Sequence, residues 1–101
     1  MTFEEIQSFI RKKNYLFSEH ADEERTKDEL TVKEIEQAIL AGNVIEKRQK
    51  DARGESYLIA GESDDGRIIH VVVGLRFGIP VIVTVYIPSE KLWIHGKIRK
   101  R

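Results

Sequence analysis

The hydrophobic pattern changes period at Gly42, and that change sets the order of the structural layers. Before Gly42 the apolar residues recur at helical spacing. After it they alternate, or run as β-branched stretches of strand length. Phe3, Ile6, Phe9 and Ile10 make the first helical stripe. Thr2 and Glu5 are spaced as a capping box at its start, and Arg11, Lys12 and Lys13 suit the negative end of its dipole ahead of Asn14. Tyr15-Leu16-Phe17 predicts a short strand or an extended link. Ser18 is placed to cap a mostly polar helix through about Lys27. Thr31 to Ala41 has the sharpest helical pattern. Thr31 and Glu34 form a second capping box, Leu30 and Ile35 are spaced as a hydrophobic staple, and Ile35, Ala38 and Ile39 face a core. Gly42 stands where a left-handed C-terminal residue is wanted.

Strands are expected at Val44 to Arg48, Glu55 to Ala60, Arg67 to Arg76 and Val81 to Ile87. Asp65-Gly66 marks a hairpin, and Phe77 to Pro80 turns the chain again. Ser89 is placed to cap a last short helix through Trp93. The expectation is a single α+β domain over residues 1–101, with N-terminal helices packed on one face of a four- or five-stranded, mainly antiparallel sheet.

Composition narrows the chemistry. The chain has no cysteine, so disulfides, thiolate metal sites and thiol catalysis are excluded, and a cytoplasmic setting is expected. No apolar run approaches the roughly 18 residues of a membrane helix, and the N-terminus lacks the pattern of a signal peptide, so no membrane association is expected. The 17 basic and 17 acidic residues cancel overall, but not locally. From Arg67 onward seven basic residues face a single acid, Glu90. That excess suits an anionic partner such as RNA, or equally a solvated basic tail.

No phosphate-cradling glycine loop, nucleophile elbow or His-Glu-x-x-His helix is present. His20, His70 and His95 are far apart, so no metal and no cofactor are expected. His20, opening the polar helix, is a candidate proton-transfer group; its competing role is to pack or cap the helix entry. His70 lies in an apolar strand and reads more readily as a satisfied core histidine. Arg76 and Tyr86 are candidates to stabilise and protonate a cleaving phosphodiester, against the plainer roles of an edge charge and an interfacial tyrosine. Trp93 with Lys91, Lys97, Arg99 and Lys100 mixes an aromatic with cations, as RNA surfaces do, or plugs the tail onto the sheet.

Tyr15-Leu16-Phe17-Ser18-Glu19-His20-Ala21, Leu30 to Ile35, Ala41 to Glu46, Tyr57 to Gly61, His70 to Val73 and Ile82 to Pro88 together resemble a bacterial and archaeal family of small domains of unknown function. Trp93, with Lys97, Arg99 and Lys100 after it, extends the resemblance, which covers about residues 15–101; the helix over 1–14 lies outside its most distinctive part. Such domains are similar to the RelE/ParE toxin superfamily, with the MqsR and BrnT toxins as relatives. The resemblance implies a RelE-like fold and a type II toxin that cleaves RNA without a metal. It implies RNA or the ribosome as target, and an antitoxin partner, often an MqsA-like zinc-finger protein. In an endoribonuclease of this kind His20, Tyr86 and Arg76 are the expected catalytic residues, and Arg25, Lys91, Trp93, Lys97, Arg99 and Lys100 the expected RNA-binding ones. His20, His70, Thr84, Tyr86 and Trp93 match recurring positions. Relatives often carry arginine four and eight residues after the motif histidine, whereas Glu24 and Asp28 stand there here. The alternative is a non-catalytic module of the same fold that engages a protein or nucleic acid, or that pairs through an exposed strand edge.

Overall fold

A computed structural model describes residues 1–48 and 54–89, together with the backbone of 93–94 and 98–99. Three helices come first: α1 (Phe3–Arg11), α2 (Glu19–Lys27) and α3 (Val32–Ala41), with the two-residue strand β1 (Leu16–Phe17) between α1 and α2. The strands β2 (Asn43–Arg48), β3 (Ser56–Glu62), β4 (Ile68–Arg76) and β5 (Ile79–Tyr86) follow, and then the short pair β6 (Trp93–Ile94) and β7 (Ile98–Arg99). The main sheet has the order β1-β5-β4-β3-β2. Its four long strands are antiparallel neighbours, and β1 adds a parallel edge on β5, so this α+β fold is built on a five-stranded mixed sheet. Trp93 lies in a strand, not at the end of a capped helix as its sequence context predicts.

Local chemistry sets the helix ends. Both expected capping boxes form, Thr2 with Glu5 and Thr31 with Glu34, and each holds its glutamate carboxyl below the usual range, chiefly through the backbone hydrogen bond. Ser18 joins two elements: its hydroxyl accepts from Ala21 at the start of α2 and donates to the Val83 carbonyl of β5 (3.0 Å each). α1 and α2 end alike. Lys13 and Glu29 take left-handed backbone (φ 59° and 55°), and the next amides, Asn14 and Leu30, reach back to the Phe9 and Arg25 carbonyls.

Gly42 departs from expectation, since its backbone is extended (φ −97°, ψ −165°). It is a glycine because of space. A Cβ there would overlap the carbonyl oxygens of Ala38 and Ala60 and stand 2.9 Å from the Gly61 Cα. Ala38, Gly42 and Gly61 thus let α3 lie almost directly on β3.

The helices cover one face of the sheet. Ile6, Ile10, Ala21, Leu30, Ile35, Ala38 and Ile39 bury themselves against Tyr57, Ile59, Ile69, Val71, Val73, Ile82 and Val85. Each fully buried isoleucine or valine contributes roughly 1.5–3 kcal/mol. Ile82 and Val85 both face this core although three residues apart. A bulge opposite Val72 and Val73 makes that possible by inserting one extra residue into β5. At the margin, Glu36 is only 8% exposed and accepts from Lys13 Nζ (2.6 Å) and the Tyr15 hydroxyl (2.5 Å), fastening the α1–β1 link to α3. Among the described residues, no helix is long and apolar enough to cross a membrane.

Candidate functional site

The opposite face of the sheet mixes polar, small and apolar residues of the strands. Register puts Leu58, Val72 and Thr84 in one row across it, Ala60, His70 and Tyr86 in a second, and Ser56, Gly74 and Val81 in a third. The face has two unlike ends. At the end of β5, His70 is 0% exposed, and its Nδ1 lies 3.2 Å from the Tyr86 hydroxyl, with the rings edge-on at 5.1 Å. At the start of β5 the face opens into a groove of about 600 Å³.

The groove follows from local sequence. Ser56 and Gly74 keep its floor low, and a Cβ on Gly74 would press on Val83 at 3.3 Å. The bulge lifts Val83 onto this side, where it is 41% exposed. Arg48, at the end of β2, and Arg76, at the end of β4, both line the groove. Arg48 meets Glu46 only at 3.8 Å, and Arg76 forms no ion pair among the described residues. The lining carboxylate, Glu55, accepts the Tyr57 hydroxyl at 2.5 Å and pairs with the N-terminal amine at 3.8 Å. Burial, and then this carboxylate, push Tyr57 up to about 12, so the phenol stays neutral and a donor. The groove therefore presents two guanidinium groups and one engaged carboxylate, Glu55, over a floor made largely of valines.

Beyond Arg76 the chain reverses through Phe77-Gly78, two residues between the register pair Arg76 and Ile79. Both have positive φ, 53° and 75°, as the tight hairpin turn requires. Phe77 is 93% exposed there.

The residues singled out from sequence do not converge. Arg76 pairs in register with Ile79, and Tyr86 with His70, at the two ends of one hairpin. Six residues of β4 separate the rows, about 20 Å at the rise of a strand. His20 lies on the first turn of α2, on the helix side of the sheet, with Nε2 4.0 Å from Glu24. Arg25 is held internally by Asp22 (2.7 Å) and the Leu30 carbonyl (3.2 Å), which makes it a brace for the α2–α3 link. The backbone of Trp93 and Arg99 is paired in β6 and β7. Lys91, Lys97 and Lys100, and the side chains of Trp93 and Arg99, lie outside the described residues. Among the described residues no cluster of three histidines or carboxylates is arranged for a metal ion.

Sequence reading overlooked Arg48 and Phe77. Arg48 carried no signal, because only strand register brings it to the groove that Arg76 also lines. Phe77 did carry one: an aromatic occupies a two-residue turn where asparagine or aspartate is the usual choice before glycine.

Residues 17–87 match the family described as Domain of unknown function (DUF4258). This is more than half of the chain, and the chain belongs to that family. No curated protein and no solved structure matches it.

Proposed function

We propose that this DUF4258 domain is an RNA-binding module of the toxin-antitoxin type, working in the cytoplasm and gripping RNA in the groove between Arg48 and Arg76. The observation that carries this reading is Arg76, a guanidinium without an ion-pair partner among the described residues, in the lining of an open groove. An arginine left in this state is available to a phosphate, which it can meet with two parallel hydrogen bonds. Val72, Val81 and Val83 give the floor an apolar surface, so sugar or base can lie between the two cations. The relationship to RelE/ParE toxins, the ribosome as a docking place and the zinc-finger antitoxin belong to this proposal through the sequence resemblance.

Binding is favoured over cleavage because the groups expected to cleave are spread over two faces and about 20 Å of strand. Cleavage through the 2′-hydroxyl needs base, acid and cation around one phosphate. A catalytic version rests on the Tyr86–His70 contact and must draw its cation from somewhere other than Arg76.

The test is fluorescence anisotropy of labelled RNA with the parent protein, Arg48→Ala and Arg76→Ala across a salt series. Each variant should weaken binding on every sequence alike and lower the salt slope by about 0.7 per lost phosphate contact. Parent-like affinity and slope in both variants remove the groove as the RNA site. Regulated expression in a bacterial host tests the toxin part: growth arrest relieved by Arg76→Ala supports it, and normal growth with the parent rejects it.

A further inference from the structure

We infer that Phe77 is a base-stacking residue and that the RNA taken by the Arg48–Arg76 groove is single-stranded. The inference rests on the groove being the RNA site and adds the class of RNA.

Phe77 is disfavoured twice by the fold that carries it. Its backbone is left-handed (φ 53°), where any residue with a Cβ is strained and asparagine or glycine is preferred. Its ring is 93% exposed, so no burial in this domain offsets that strain. The other exposed large hydrophobics, Leu16, Val32, Val83 and Ile87, keep more than half of their surface covered. A costly backbone conformation under an uncovered aromatic points to a role outside the fold's own stability.

Position names the role. Phe77 directly follows Arg76, which lines the groove, so its exposed ring is carried on the turn at the groove's end of the hairpin. Cations that follow a phosphate backbone, next to an aromatic ring held out in water, are the two parts of a single-strand site. In a duplex both faces of an internal base are already stacked, so the ring would find no partner there. An unpaired base has a free face, and every base has one, so the contact needs no particular sequence.

The decisive comparison uses Phe77→Asn, which suits the left-handed turn and removes the ring, with Phe77→Trp as the rescue. Affinity is measured by anisotropy for a labelled RNA strand alone and for the same strand annealed to its complement, with thermal unfolding followed in parallel. Phe77→Asn should unfold no earlier than the parent, bind the single strand about tenfold more weakly, and bind the duplex as the parent does. Phe77→Trp should restore single-strand affinity. Parent-like single-strand binding by Phe77→Asn, or equal losses on single strand and duplex, overturns the inference. If Arg76→Ala still weakens binding in that case, the groove reading survives and Phe77 belongs to another partner, such as a protein. A parent that binds no RNA removes both.

Discussion

The Tyr86 hydroxyl and the His70 imidazole meet 3.2 Å apart on the face of the sheet away from the helices, in the row of β4 and β5 furthest from Arg76. The contact joins a fully buried ring to a half-buried one across an antiparallel register pair. Tyr86→Phe keeps the edge-on packing and removes the hydroxyl. It should lower unfolding stability by about 1 kcal/mol, the usual net worth of one hydrogen bond. RNA affinity at the groove should not move, since the two places lie at opposite ends of the hairpin. Urea unfolding and anisotropy on the same protein check both halves, and a loss of affinity at full folding would tie Tyr86 to the RNA site.

Gly61 should tolerate no side chain. A Cβ there would overlap the Ala38 carbonyl oxygen and come within 2.7 Å of the Ala38 Cα, so α3 would have to lift from β3. Backbone cannot swing aside as a side-chain tip does. Gly61→Ala should therefore cost about 3 kcal/mol, the upper part of the ordinary overpacking range. Gly54→Ala is a poor control because its φ is +85°. Gly74→Ala is the better one, since the Cβ meets only a Val83 methyl at 3.3 Å, and it should be much milder. Equal losses at Gly61 and Gly74 would contradict the close approach of α3 to β3.

Tyr57 predicts an alkaline limit to stability. Its hydroxyl donates to Glu55 (2.5 Å) and also lies 2.9 Å from the Met1 carbonyl, and burial is the main cause of its rise to about 12. A folded-state pKa above the unfolded value near 10 favours the protonated folded form. The contribution is therefore complete below pH 10 and is lost as the pH rises from 10 through 12. Tyr57→Phe should be less stable than the parent at neutral pH and should show a smaller fall between pH 10 and 12. Denaturant midpoints taken across that range measure it, and parallel curves would show that Tyr57 is not the group responsible.

Much of the fold was readable because its causes are local. Ser18, Thr31 with Glu34, and Asp65-Gly66 act on backbone within four residues of themselves, so their spacing carries the information. Gly42 shows the limit of that reading. The residue and the helix end were legible, yet the reason for glycine was not, because the atoms that exclude a Cβ belong partly to Ala60, a strand away. The candidate site was less legible still. Arg76 and Tyr86 look close along the chain, ten residues apart around a turn, and a hairpin places them at opposite ends because Arg76 directly precedes the turn and Tyr86 lies eight residues past Gly78.

Hydrophobic period and side-chain chemistry, which reach only a few residues, fixed the order of the helices and main strands from Phe3 to Tyr86, their N-caps and their turns, but not the strand at Trp93 or the backbone of Gly42. Which residues share a place was settled by packing between elements. The bulge that brings Ile82 and Val85 to one core and Val83 to the other face, the placing of Arg48 and Arg76 on one groove, and the parting of Arg76 from Tyr86 all follow from strand register. Register is chosen by the summed packing of whole strands against the helix layer, and no short stretch of sequence contains that sum.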